Sequence, residues 1–226
     1  VATLADIERA VAVSGPASVL LHCLTAFPAP EEQYNLRLVG SLGAVRGVPV
    51  GVSDHSLDPL LVPGAALLQG ACLVEKHITL SRKAAGLDDP IALEPEAFAA
   101  MVRGLRELEA MEPAAAVRAL QNRYGEERLS RVLGDGVKRL AAAEERFYRS
   151  TRRSVHAAVR IAAGWRIRAG DLCVVRSEAN LRPGLEPTEL PRLIGAVAQR
   201  TIEAGQGVVW EDLLVREGPP SGDSGQ

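Results

Sequence analysis

No charge of one sign dominates this 226-residue chain: 26 Lys and Arg face 28 Asp and Glu, for a net −2. That balance leaves no electrostatic footprint for nucleic acid or an anionic membrane. The basic residues Arg149, Arg152 and Arg153 cluster, but they read as a solvated connector. No apolar run is long enough to span a bilayer, and the first residues lack the pattern of a signal peptide. Cysteine is sparse, and Cys23, Cys72 and Cys173 all sit inside apolar runs. Buried free thiols and a reducing, cytoplasmic setting are therefore expected. No internal repeat is expected. The chain opens on Val1 in a helix-like segment with no strand before it, which predicts further sequence upstream.

What is present is an alternation. Thr3 caps a helix over TLADIERAVAV with an apolar stripe of Leu4, Ile7, Ala10 and Val11. A strand is expected over 18–25, a helix over 35–47, a strand over 49–55 and a helix from Leu60 to Gly70. A third strand over 72–80 and an amphipathic helix over 94–110 follow. Apolar strands alternating with helices predict an α/β domain with a parallel sheet. Residues 111–151 read as a helical and extended linker that contains the turn LGDG at 133–136. From 152 to 214 short β-like pieces lie between Gly and Pro turns, which predicts a small β-rich domain. The polar, Gly/Pro/Ser-rich 215–226 read as a disordered tail.

Two runs carry the chemistry, VGVSDH and CLVEKH. Residues i and i+2 of a strand share a face, so Ser53 with His55, and Glu75 with His77, point to one side at the C-terminal strand ends. Active sites of parallel α/β proteins lie at those ends. Two imidazoles there can hold one divalent metal and leave positions open for substrate. Glu75 can act as a base, orient water or hold a substrate hydroxyl. Ser53 and Thr25 suit a phosphate oxygen, and Asp88 or Asp89 can reach over the site from the following loop. Asp54, His22 and Lys76 have the opposite parity, so Asp54 is expected in a structural hydrogen bond. His156 reads as structural.

The motifs HCLTAFPAP, VGVSDHS, VEKHITL and GLDD, then LGDG, RRSV, RPG and AGQGVVWEDL, resemble the sialic acid synthase family over about residues 1–214. The resemblance implies the C-terminal part of a (β/α)8 TIM barrel over 1–110 and an antifreeze-like SAF domain over 152–214. It implies condensation of phosphoenolpyruvate with an N-acetylated hexose such as N-acetylmannosamine. His55 and His77 would be the metal ligands, for Mn2+ first and Mg2+ or Co2+ otherwise. Thr25 and Ser53 fall where phosphoenolpyruvate is held; Glu75 and Asp88 fall at the sugar, with Glu75 near the reacting carbon. Arg182, or else Arg176, would reach the partner subunit's sugar in a domain-swapped homodimer. The family motif resembles H-C-x-S-x-Y-P, and this chain departs from it with Thr25 and with Phe27, which has no phenol to offer a sugar. The family's phosphate-binding lysines belong to earlier strands, so the resemblance implies an N-terminally truncated, inactive fragment with bare sheet edges. The other reading is a non-catalytic protein whose SAF module binds a carbohydrate or a partner.

Overall fold

The computed structural model describes residues 2–15, 17–148, 151–177 and 181–214; the expected tail at 215–226 lies outside the described residues. Its first element is helix α1, Leu4–Ser14. Thr3 Oγ1 accepts the Asp6 N–H, and Asp6 Oδ2 accepts the Thr3 N–H at 2.8 Å. This reciprocal capping box satisfies two donors that the first turn would otherwise leave bare.

Three parallel strands form the sheet in the order β1 (Leu20–Cys23), β2 (Val50–Asp54), β3 (Val74–Lys76). Helices α2 (Arg37–Arg46) and α3 (Leu61–Leu68) connect them, and α4 (Pro95–Glu109) follows β3. The central strand is buried along its whole length, with Val52 fully enclosed. Gly51 is required there: a Cβ would strike the Leu73 carbonyl and come within 2.8 Å of Leu21 Cδ2. The expected third strand of nine residues is only three long. After it the backbone keeps a single parallel bridge, Ile78 to Leu93.

Residues 111–141 are not the linker that their composition implies. Helices α5 (Pro113–Tyr124) and α6 (Glu126–Leu133) bury Ala116, Leu120, Leu129 and Val132 in the same core as the sheet and α3. The LGDG turn is clasped by Asn35, whose amide oxygen accepts the Gly136 N–H at 2.7 Å and whose amide donates to the Val137 carbonyl. Helix α7 (Ala142–Tyr148) crosses the boundary between two compact units, which divide after Glu145. Ala- and Glu-rich helices look like a connector in one dimension because their apolar faces are narrow.

At the N-terminus of α3, Asp58 Oδ1 accepts the N–H groups of Leu60 and Leu61 at 2.8 Å, and Tyr124 donates its hydroxyl to the same oxygen at 2.9 Å. Burial first, and then the Asp58 hydrogen bond, push the Tyr124 hydroxyl up to about 12. A folded-state pKa above the unfolded value near 10 gives a stabilisation that is complete below pH ~10. It is lost as pH rises toward 12. Tyr124→Phe is therefore expected to flatten the decline of stability between pH ~10 and ~12, as read by urea unfolding across that range.

The second unit carries an antiparallel pair, β4 (Arg153–Ala157) and β5 (Leu172–Arg176), and a short helix α8 (Leu190–Leu193). Its core is aliphatic, with Val155, Ile161, Ile167, Leu193, Ile202 and Val208 all nearly or fully enclosed. The other expected β pieces contribute only isolated bridges, such as Ile161 to Ile202 and Ala198 to Leu213.

This unit does contain an internal repeat, contrary to expectation. IAAGWRIRAGDL (161–172) and IEAGQGVVWEDL (202–213) lie antiparallel at Ile161 and Ile202, and each has a left-handed glycine, Gly164 and Gly205. Each then closes a 3-10 turn on an aspartate: Asp171 accepts the Arg168 N–H and Asp212 accepts the Val209 N–H. Five of the twelve aligned positions are identical, all at the two ends, and the middle of each copy differs.

Among the described residues no helix is long and apolar enough to cross a membrane. The cysteines are not buried as expected: Cys72 is exposed, and Cys23 and Cys173 are half-buried. Cys72 lies two residues before β3, an edge strand of the three-stranded sheet among the described residues.

Candidate active site

The strand register assembles the site. Cys23 pairs with Ser53, and Ser53 with Glu75, so the three occupy one row on one face. Two residues later come Thr25, His55 and His77, each just beyond the end of its strand. In that row Ser53 donates its hydroxyl to Glu75 Oε1 at 2.7 Å. Glu75 is exposed, so its place mid-strand carries no burial cost.

The two histidines meet. Their ring centroids lie 5.2 Å apart at an interplanar angle of 62°. Phe27 stacks on His55 at 4.4 Å and meets His77 edge-on at 6.2 Å. The residue that offers no phenol thus serves as an apolar wall for both imidazoles. A half-exposed side chain, at 53%, it also faces solvent. His55 Nδ1 lies 2.9 Å from the Leu24 carbonyl. A carbonyl can only accept, so Nδ1 carries the proton and Nε2 presents its lone pair.

That arrangement fits a metal ligand, which characteristically donates its other ring N–H to a carbonyl or carboxylate. Asp88 approaches His77 from the loop, with Oδ2 at 3.8 Å from Nδ1. Asp89 is occupied elsewhere, accepting from the Thr79 hydroxyl at 2.6 Å and the Gly86 N–H at 2.7 Å. Among the described residues no group of three or more His, Cys, Asp or Glu side chains is placed to hold a metal. The two imidazoles therefore fit a cation only with further oxygens from water or substrate. Thr25 is half-buried beside the site, its N–H donated to Glu144 Oε1 at 2.8 Å. Burial pushes the nearby Cys23 thiol up, keeping it protonated.

Below the site face, the opposite parity makes a second row. Asp54 pairs in register with Lys76, and their side chains meet at 2.6 Å with 0% and 1% exposure. Asp54 Oδ1 also accepts from the Tyr34 hydroxyl at 2.9 Å and from the Ser56 N–H at 2.8 Å. Burial, and then the Asp54 charge, hold the Tyr34 hydroxyl far above the usual phenol range, so it stays a donor. His22, on this side too, hydrogen-bonds the Tyr34 carbonyl through Nε2, and burial lowers its pKa. Tyr34 sits in a loop with no motif around it, and sequence reasoning missed it.

In the second unit, His156 is fully buried between Ser154 Oγ and the Gly205 carbonyl, a structural position. Arg182 donates through Nη2 to the Gly207 carbonyl and to Asp212 Oδ2, both at 2.7 Å. Gly207 is held flat against the RPG turn; a Cβ there would strike the Arg182 carbonyl. Arg200 takes the other Asp212 oxygen, with Nε at 2.6 Å. Burial works against ionisation of Asp212, but the Val209 N–H and the two guanidinium groups hold its carboxyl below the usual range. Its counterpart in the repeat, Asp171, receives the Trp165 indole N–H at 3.1 Å instead of an arginine. Asp212 is fully buried, so its carboxylate needs the two arginines as partners, whereas Asp171 is only half-buried. Arg176, the other candidate, lies exposed at the end of β5.

Residues 1–115 match the NeuB family and residues 152–214 match the SAF domain. The spore coat polysaccharide biosynthesis protein SpsE of Bacillus subtilis is 32% identical over 88% of this chain and 52% of its own length. An N,N'-diacetyllegionaminic acid synthase of Legionella pneumophila is 29% identical, covering 86% of this chain and 48% of that protein. The human N-acetylneuraminate-9-phosphate synthase is 27% identical, over 96% of this chain and 53% of its own. The crystal structure of the Bacillus SpsE protein superposes with a TM-score of 0.80 at 30% identity, over 96% of this chain and 60% of that one. The chain spans about half the length of the curated relatives it matches.

Proposed function

We propose that this chain, which belongs to the NeuB family, carries the metal- and sugar-handling side of a phosphoenolpyruvate-dependent nonulosonic acid synthase. The single observation that carries the reading is the pair of imidazoles 5.2 Å apart at parallel strand ends, one fixed with its Nε2 lone pair available. On this reading the three βα units are part of a (β/α)8 barrel. The relatives named for legionaminic and N-acetylneuraminic acid products support the reaction class.

In that reaction the enol carbon of phosphoenolpyruvate bonds to the aldehyde carbon of an open-chain N-acetylated hexose, N-acetylmannosamine or a relative. The aldehyde oxygen takes a proton, water adds to the phosphate-bearing carbon of phosphoenolpyruvate, left cationic once its CH2 carbon has bonded, and phosphate leaves from that carbon to give the ketone. A divalent cation, Mn2+ first, held by His55 and His77 would supply Lewis acidity and a template for the aldehyde. Ser53 and Thr25 stand where a phosphate oxygen can be held. Glu75, with one oxygen engaged by Ser53, keeps the other to orient the water or a sugar hydroxyl. Asp88 is the exposed loop carboxylate for sugar hydroxyls, and Phe27 shields the rings on one side. Arg182, fixed by Asp212, reaches the sugar site of a partner subunit in a domain-swapped homodimer.

The test is phosphate release from phosphoenolpyruvate with N-acetylmannosamine and Mn2+, in the longest natural polypeptide that contains these residues. Release is expected to require the sugar and to vanish in His55→Ala and His77→Ala. Turnover that ignores both substitutions contradicts the proposal. Sugar binding that depends on Arg182 but not on His77, with no turnover, supports a binding module instead.

A further inference from the structure

His55 is held at three points by the loop between β1 and α2. Its backbone N–H donates to the Tyr34 hydroxyl at 2.8 Å, its carbonyl accepts the Ala29 N–H at 3.0 Å, and its ring Nδ1 donates to the Leu24 carbonyl at 2.9 Å. The first of these is the unusual one, because a side-chain hydroxyl replaces a backbone partner at the strand end. Tyr34 Oη is itself fixed by donating to Asp54, and Tyr34 has no exposed surface. Asp54 is held in turn by Lys76, whose ammonium also donates to the Ser56 carbonyl at 2.5 Å. The peptide groups on both sides of His55 are therefore pinned by one buried assembly: Tyr34 takes the N–H of residue 55, Asp54 the N–H of residue 56, and Lys76 the carbonyl of residue 56.

We propose that the buried Tyr34–Asp54–Lys76 assembly, lying on the sheet face opposite the site, is the positioning device that fixes the His55 ring. The ring's tautomer and its reach toward a divalent cation depend on where residues 54–56 leave the strand. A rotation of the 54–55 peptide breaks the bond to Tyr34 and carries Nδ1 away from the Leu24 carbonyl. Tyr34, Asp54 and Lys76 touch no substrate; they act through His55. The cation part of this inference rests on the proposed metal role of His55 and His77.

The test compares the whole chain with Tyr34→Phe, which keeps the ring and removes only the bridging hydroxyl. Two readouts are taken: the imidazole nitrogen signals of 15N-histidine-labelled, metal-free protein, and the Mn2+ dissociation constant by titration. Wild type is expected to show His55 as a single Nδ1–H tautomer. Tyr34→Phe is expected to average the two tautomers and to weaken Mn2+ binding about 10–100-fold, the usual cost of removing an outer-shell partner.

Tyr124→Phe serves as the stability control, since it removes a buried-end hydroxyl bonded to Asp58; it should change neither readout by more than about twofold, well below the 10–100-fold range of an outer-shell loss. The inference is overturned if Tyr34→Phe keeps both the tautomer and the affinity, or if Tyr124→Phe loses as much affinity. A ring fixed in this Tyr34-dependent way in a chain that binds no Mn2+ would leave the positioning role standing and remove the metal reading.

Discussion

Lys76→Met is expected to destabilise the first unit by about 3–5 kcal/mol, because it strands Asp54 as an unpaired charge at 0% exposure. At this chain length that corresponds to a fall in Tm of roughly 6–20 °C. The cost comes from the charge left behind, not from the attraction lost. A buried ion pair roughly balances its own desolvation, so removing both charges costs far less than removing one. Lys76→Met combined with Asp54→Asn should therefore recover most of the loss, since the amide oxygen can still accept from Tyr34 and the Ser56 N–H. Thermal melts followed by circular dichroism at several urea concentrations check both variants. A single-variant loss under about 1 kcal/mol, the range of an exposed pair, would mean that water reaches Asp54.

The second large effect concerns the cation. His55→Ala and His77→Ala are each expected to weaken Mn2+ binding by more than about 100-fold, beyond the upper range for an outer-shell partner. His55 has 8% of its surface exposed, so its substitution also opens a gap beneath Phe27. His77→Ala is the cleaner variant, because the His77 side chain is 32% exposed and can be removed with little effect on packing. Isothermal titration of the metal-free chain gives both constants. Equal affinity in wild type and His77→Ala would place the cation elsewhere.

The grouping of the candidate site's side chains was legible because strand parity is a strong constraint. Ser53 with His55, and Glu75 with His77, could be put on one face without knowing any tertiary contact, and Asp54 and Lys76 on the other. What parity could not supply was the register between strands, which pairs Ser53 with Glu75 and Asp54 with Lys76. That register depends on how α3 packs between partners that stand 22 positions apart in the sequence. Tyr34 was hidden for another reason: it projects from a loop held by Asn35 and Gln33, and no periodicity marks a loop residue. In the sequence Phe27 is only a missing phenol; its stacking on His55 arises from the fold of the loop after β1. The helices over 113–133 read as a helical linker because only two positions in each are buried, Ala116 and Leu120 in α5 and Leu129 and Val132 in α6. In the second unit, hydrogen-bonded loops replace most of the expected strands, since its Gly and Pro turns leave runs too short to pair.

The most direct measurement is the electron spin echo envelope of Mn2+ bound to the chain labelled with 15N-histidine. The account predicts modulation from two imidazole nitrogens, one of which is lost in His77→Ala. A spectrum of hydrated Mn2+ with no nitrogen coupling would contradict it.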